Sequence, residues 1–186
     1  MSAPASAAAP AVPPPTLPAG MRAIRVIKIV VNAGVGESGD ARTKAERVLQ
    51  MVTHQKPVST RAHSTNRDFG IRKGQEIGAK VTLRGAVALD FLRRAFDARD
   101  RQLDSESIDR NGNFSFGVAD YTDFEGMKYD PAIGIHGMDV AVELGRAGFR
   151  VRQRRVQSRP LPPALRATRE ETRAFLTATF GVTLLD

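Results

Sequence analysis

Residues 77–84, IGAKVTLR, alternate without a break. Ile77, Ala79, Val81 and Leu83 fall on one side, and Lys80, Thr82 and Arg84 on the other. A period of two over this length describes a strand with one face buried and one face wet. Strands buried on both faces, as in a parallel sheet, read instead as continuous apolar runs. A chain built from one-sided strands must cover their apolar face with a second layer, and the helical segments below are the candidates, so this stretch already points to two layers. The pattern recurs in 23–33, AIRVIKIVVNA, where Ile27, Ile29 and Val31 oppose Val26, Lys28, Val30 and Asn32. It recurs again at Phe114, Phe116 and Val118 and at Met138, Val140, Val142 and Leu144.

Three segments follow the helical period instead. Ala41, Ala45, Val48, Leu49 and Val52 share one face, with Ser38 or Asp40 placed to cap the start. Residues 86–98 form a second amphipathic stretch. In the third, Thr168 and Glu171 make a capping box, Phe175 and Leu176 supply the apolar stripe and Gly181 ends the helix. Residues 56–64 give a short strand, 65–76 break every period and read as a long loop, and 137–155 read as two strands around a turn at Gly145–Gly148. The order β-α-β-loop-β-α-β-β-β-α predicts an α+β fold, a two-layer sandwich whose largely antiparallel sheet carries its helices on one face. Residues 1–20 hold thirteen Ala and Pro and no charged side chain. They predict a disordered tail, with a single domain over 21–182 that includes an Arg-rich segment at 146–169.

Residues 31–40, VNAGVGESGD, contain a complete G-x-G-x-x-G at Gly34, Gly36 and Gly39, between a strand pattern and a helix pattern. These are the flanks of a dinucleotide fingerprint. The rest of such a unit is missing. The next strand ends in Thr60, Arg61 and Ala62 rather than in an acid for the ribose, and Glu37 lies inside the glycine loop. The glycines therefore read as a tight strand-to-helix connection.

No catalytic constellation emerges. The chain has no cysteine, and its three histidines, His54, His63 and His136, lie far apart. There is no G-x-S-x-G, no membrane-length apolar run, and no basic start to residues 1–20 of the kind a signal peptide needs. No enzyme, cofactor or metal is expected. The informative quantity is charge. Lys and Arg total 28 against 20 Asp and Glu, a net charge of +8, and a basic protein of this size points to a polyanion. Seven basic residues and two acids lie between Lys56 and Arg84, and eight arginines and no acid between Arg146 and Arg169. Lys28, Asn32, Thr60, Lys80, Thr82 and Arg84 are expected to share the wet side of the sheet, as a polar, positive face suited to phosphates and sugar hydroxyls. A solvated face that binds nothing is the competing reading. The arginine tract reads either as a clamp for RNA backbone, in which case a generic basic RNA-binding adaptor acting through the 146–169 arginines is the alternative function, or as a soluble tail.

The blocks IVVNAGVGE, QKPVSTRA, FGIRKGQEIGAKVTLRG, NGNFSFGV and YDPAIGIHGMDVAV, in this order, resemble the 5S-rRNA-binding family of large ribosomal subunit proteins over about residues 21–182. DFEGMKYDPAIGIHGMDV and RVRQRR are similar to its archaeal and eukaryotic branch. The resemblance implies a structural protein of the cytoplasmic ribosome. Its expected partners are 5S rRNA in the central protuberance, large-subunit rRNA, neighbouring large-subunit proteins, peptidyl-site tRNA and a small-subunit protein at an intersubunit bridge. It places Asn32, Gln55, Lys56, Thr60, Arg61 and Ser64 at the 5S rRNA, beside Lys28 from the strand pattern, and Arg67, Arg72 and Lys73 on a tRNA-facing loop. His63 and Asn66 depart from the basic residues common there, and the Ala/Pro tail is not part of the family pattern.

Overall fold

The structure, a computed structural model, describes residues 19–37 and 39–185. The Ala/Pro tail thus lies outside the described residues, except that Ala19 and Gly20 open a one-turn helix, α1 (Ala19–Arg22). The chain continues through β1 (Arg25–Gly34), α2 (Asp40–Thr53), β2 (Val58–Arg61), β3 (Glu76–Leu83), α3 (Gly85–Asp97) and β4 (Gln102–Asp104). It ends with β5 (Phe114–Val118), β6 (Met138–Gly145), α4 (Arg150–Gln153), α5 (Arg169–Phe180) and β7 (Thr183–Leu185). Five strands form one sheet in the order β2-β3-β1-β6-β5, and every neighbouring pair is antiparallel. A separate parallel pair joins β4 to β7. The expected α+β sandwich is what the chain forms.

The alternation predicts the layers except at the start of β1, where a bulge between Val26 and Lys28 reverses the expected sides: Val26 packs against the core and Ile27 lies beside Gly145, outside it. Ile29, Val31, Ala79, Val81, Leu83, Phe114, Phe116, Val118, Val140, Val142 and Leu144 are buried. Helix α2 lies against β3 and β1, and α3 against β1. Ala45, Val48, Leu49 and Val52 of α2, and Phe91, Leu92, Ala95 and Phe96 of α3, face the sheet. Phe96 stacks on Phe114 and Phe116 and touches Phe180, which ties α5 to the same core. The three long helices thus share one side of the sheet and leave its other face open.

Two local features position the rest. Thr168 accepts from the Glu171 N–H and the Glu171 carboxylate accepts from the Thr168 N–H, so the expected capping box sets the start of α5. One turn later the buried Thr172 hydroxyl donates to the Gly112 carbonyl at 3.0 Å. Gly112 sits at φ 76°, and a Cβ there would lie 2.6 Å from Thr172 Oγ1 and 2.7 Å from Ala167 Cβ. Only glycine permits that approach.

Two expectations are corrected. The residues after β6 do not return as a strand: Gly148 turns at φ 95° and Arg150–Gln153 wind into α4. The backbone decides this: Phe149, beside Gly145 at the end of the sheet, takes the right-handed helical conformation at φ −57° and ψ −22° and starts α4. Helix α2 is not capped by Asp40, which is its first residue; the cap position is Gly39, with no side-chain hydrogen bond, and Ser38 lies outside the described residues. Asp40 in the first turn still favours the helix dipole. Strands β4 and β7 carry no signal in the sequence, being three residues each.

Candidate nucleic-acid interface

Backbone register assembles the site. Residues directly opposite on neighbouring antiparallel strands point to the same face. Val58 pairs with Lys80, Lys80 with Asn32, Asn32 with Asp139, and Asp139 with Gly117. This is one row across the open face. The next row, toward the C-terminal end of β1, runs Thr60, Gly78, Gly34. A Cβ on Gly78 would lie 2.9 Å from Thr60 Oγ1 and 2.8 Å from the Ala33 carbonyl oxygen. The missing side chain is therefore what lets Thr60 lie flat across β3. The other direction gives Thr82, Val30, Ala141 and Ser115. The face is lined by small and polar side chains, which lets a rigid partner approach the backbone closely.

Charge on this face is uneven. Lys28 lies opposite Glu143 and is ion-paired to it at 2.9 Å, and Asp139 is exposed beside Asn32. The expected positive face is therefore positive only toward β3 and β2, where Lys80, Lys56 and Arg84 are exposed and have no side-chain partner among the described residues. Arg61, 72% exposed, reaches Glu76 at 3.5 Å. Strand β2 is a short edge strand, and α2 holds it in place. Arg42 contacts Glu46 at 2.6 Å, the Ser59 hydroxyl at 3.0 Å and Glu76 at 3.2 Å, and the Ser59 hydroxyl donates to Glu46 at 3.2 Å. Ser59 faces the helix layer, so its neighbours Val58 and Thr60 face outward.

The segment after β2 is an ordered hairpin extension rather than a shapeless loop. The Ala62 N–H donates to the Gln75 carbonyl at 2.8 Å, and Asn66 and Ile71 exchange two backbone bonds of 2.9 Å. Asn66 Oδ1 accepts from the Asp68 N–H, an Asx turn that explains an asparagine at this place, and Thr65 Oγ1 accepts from the Lys73 N–H. Arg67, Arg72, Lys73 and Ser64 are exposed along it, and Phe69 at its tip is 75% exposed. Gln55, half-buried, and Lys56 lie in the connection before β2. The structure thus gathers Asn32, Thr60, Arg61 and Lys80 at one corner, puts Lys56 just before the other end of β2, sets Arg67, Arg72 and Lys73 on an arm leaving that corner, and leaves Lys28 toward the far end of β1. The sequence reading missed Gly78 and Gly34 as the floor of this corner, since nothing in a sequence says which residues lie opposite one another.

The antiparallel pairing of β1 on both sides also disposes of the dinucleotide fingerprint, which needs a parallel β-α-β unit. Gly34 ends β1, and the N–H groups of Val35 and Gly36 donate to the Ile77 carbonyl at 3.2 and 3.0 Å.

Comparison with known proteins decides the lineage. Residues 20–72 match the family described as ribosomal protein L5, and residues 76–178 match the C-terminal region of the same ribosomal family. The chain belongs to the ribosomal protein L5 family. Large ribosomal subunit protein uL5 of Picrophilus torridus is 49% identical over 166 residues, covering 89% of this chain and 94% of the relative. The uL5 proteins of Thermoplasma acidophilum and Aeropyrum pernix are 48% and 47% identical over the same share of this chain, 98% and 86% of their own lengths. These archaeal relatives agree with the branch that DFEGMKYDPAIGIHGMDV and RVRQRR suggest. L5-family proteins are structural constituents rather than enzymes. The boundary between the two matched regions falls at the end of the hairpin extension, just before β3.

Proposed function

We propose that this chain is a structural protein of the large ribosomal subunit that binds 5S rRNA with the β2-β3-β1 corner of its open sheet face. It attaches that RNA in the central protuberance, beside large-subunit rRNA and neighbouring large-subunit proteins. The observation that carries this reading is the flat row Thr60–Gly78–Gly34 beside Asn32, flanked by Lys80 and Lys56, which have no side-chain partner among the described residues. Asn and Thr offer donors and acceptors to base edges and sugar hydroxyls, and the lysines and Arg61 neutralise phosphates. Gln55 and Ser64 extend the same edge, and Lys28 contributes only as a partner shared with Glu143. The arm bearing Arg67, Arg72 and Lys73 reaches the peptidyl-site tRNA, and the protein takes part in a bridge to the small subunit.

Competition filter binding tests the reading. Labelled 5S rRNA is challenged with excess unlabelled tRNA at about 150 mM salt, where non-specific phosphate contacts are weak. Survival of the complex is expected, with Asn32→Ala and Thr60→Ala each weakening it by about 1 kcal/mol or more. Displacement by tRNA as readily as by 5S rRNA, or unchanged affinity in both variants, would remove the proposed surface.

A further inference from the structure

The sheet-face reading leaves the arginine tract unassigned. Its eight arginines divide cleanly. Arg146, 13% exposed in its side chain, is paired to Glu171 at 2.5 Å, Arg166 donates to Asn111 Oδ1 at 3.1 Å, and Arg169 donates twice to the Ile108 carbonyl. These three hold the segment to the domain. Residues 149–159 are a small closed unit between them. The Arg159 N–H donates to the Val151 carbonyl at 3.3 Å, the Ser158 hydroxyl to the Arg152 carbonyl at 3.0 Å, and Arg154 Nε to the Gln157 carbonyl at 2.9 Å. Gln157 takes the left-handed conformation at φ 51° to close the turn. Arg150, Arg155 and Arg159 are exposed and have no side-chain partner among the described residues.

We infer that this unit is a pre-folded clamp for the phosphodiester backbone of RNA, separate from the sheet-face corner. Phosphate rather than base is the target because the unit lacks what base reading needs. Its one aromatic, Phe149, is half-buried beside Gly145 and carries the Arg152 guanidinium 5.9 Å from its ring centroid, so a base could stack on it only by displacing that cation. No acid lies between Arg146 and Arg169 to compete with a phosphate. Location makes it a second site. The tract leaves the sheet at Gly145, opposite Arg25, whereas Gly34 marks the Thr60 corner at the other end of β1. About nine strand steps of about 3.3 Å separate these ends by roughly 30 Å, several times the Debye length of about 8 Å at physiological ionic strength. The point where the tract leaves the sheet and the Thr60 corner therefore meet different phosphates.

The test is the salt dependence of RNA binding by the full chain, read as the slope of log affinity against log salt. The variant is Arg150→Gln/Arg155→Gln/Arg159→Gln, and thermal melting checks that it folds. Removing three phosphate contacts should make the slope shallower by about 2. The preference for 5S rRNA over tRNA should stay unchanged, and the triple Arg→Lys variant should restore the slope. Thr60→Ala should do the reverse, lowering the preference and leaving the slope alone. An unchanged slope in the folded triple Gln variant overturns the clamp. A slope that falls together with the preference overturns its restriction to backbone. The clamp is judged by the slope and the sheet face by the preference, so either can fail alone.

Discussion

Residues 56–84 and residues 146–169 are similarly basic in sequence, yet the fold treats their charges differently. In the first stretch only Arg61 is engaged, with Glu76, and Lys56, Arg67, Arg72, Lys73, Lys80 and Arg84 have no side-chain partner among the described residues. In the second, Arg146, Arg166 and Arg169 are bonded to the body of the domain, Arg154 closes a turn and Arg152 lies over Phe149. A local count of arginines therefore overstates what the second stretch presents to a partner. Guanidinium groups fork toward carbonyls and carboxylates, so an arginine can bolt a segment down as readily as it can grip a phosphate. Lys80 on the open strand face and Arg67, Arg72 and Lys73 on the projecting arm have no such internal partner among the described residues.

Breaking the second stretch at its root should have the largest effect. Gly112→Ala places a Cβ against Thr172 and Ala167 at a positive φ, and a loss of about 2–4 kcal/mol is expected. Thermal or urea unfolding measures it, and an unchanged midpoint would mean that α5 shifts without cost. Arg169→Ala removes both donors to the Ile108 carbonyl and should cost about 1.5–3 kcal/mol of stability while leaving the salt slope of RNA binding as it was. Arg72→Ala is its mirror, with stability within about 0.5 kcal/mol of the parent and a shallower slope. If both variants behaved alike, the contrast between the two stretches would collapse. Arg42→Ala removes the contacts that hold β2 to α2 and should cost about 1 kcal/mol, read as faster hydrogen exchange at Val58–Arg61 with the α5 amides unaffected.

The smallest effect is on pH. Burial alone would raise the Glu171 carboxyl, but the Thr168 N–H and the Arg146 guanidinium outweigh it and hold the group below the usual glutamate range. A carboxylate depressed in the folded state contributes stability that is fully present above its unfolded value and is lost as pH falls through the folded one. Glu171→Gln should therefore flatten the acid limb of stability against pH below the ordinary glutamate range and leave the neutral region with only the loss of the Arg146 contact. An identical acid limb in both proteins would show that the pair is inert.

Much of this was legible beforehand, and the reason differs by element. The strand alternation marked the core faces of β1, β3, β5 and β6, because a side chain on a one-sided sheet has only two directions to choose between. The Thr168–Glu171 cap was legible because its chemistry is local. The segment after Gly145 was not, since RVRQ alternates as a strand does and the left-handed turn at Gly148 and helical backbone at Phe149 that start α4 leave no periodic signal. The corner formed by Asn32, Thr60 and Gly78 was half legible: Asn32 and Thr60 stood out as polar residues on strands, but their adjacency across Gly78 belongs to register. The Lys28–Glu143 pair was likewise invisible, because its members are 115 positions apart in the chain and meet only across β1 and β6.

The backbone ladder between β2 and β3 does not stop where the strands do. Backbone bonds recur at Ala62–Gln75 and at the isolated Asn66–Ile71 bridge near the tip. The extension is thus tied at both its base and its tip, with Phe69 at its end and the Arg42 contact network holding the base of β2. A displacement of the tip would reach the Thr60–Gly78 register first, so the arm and the sheet corner of the proposed function would share one mechanical path.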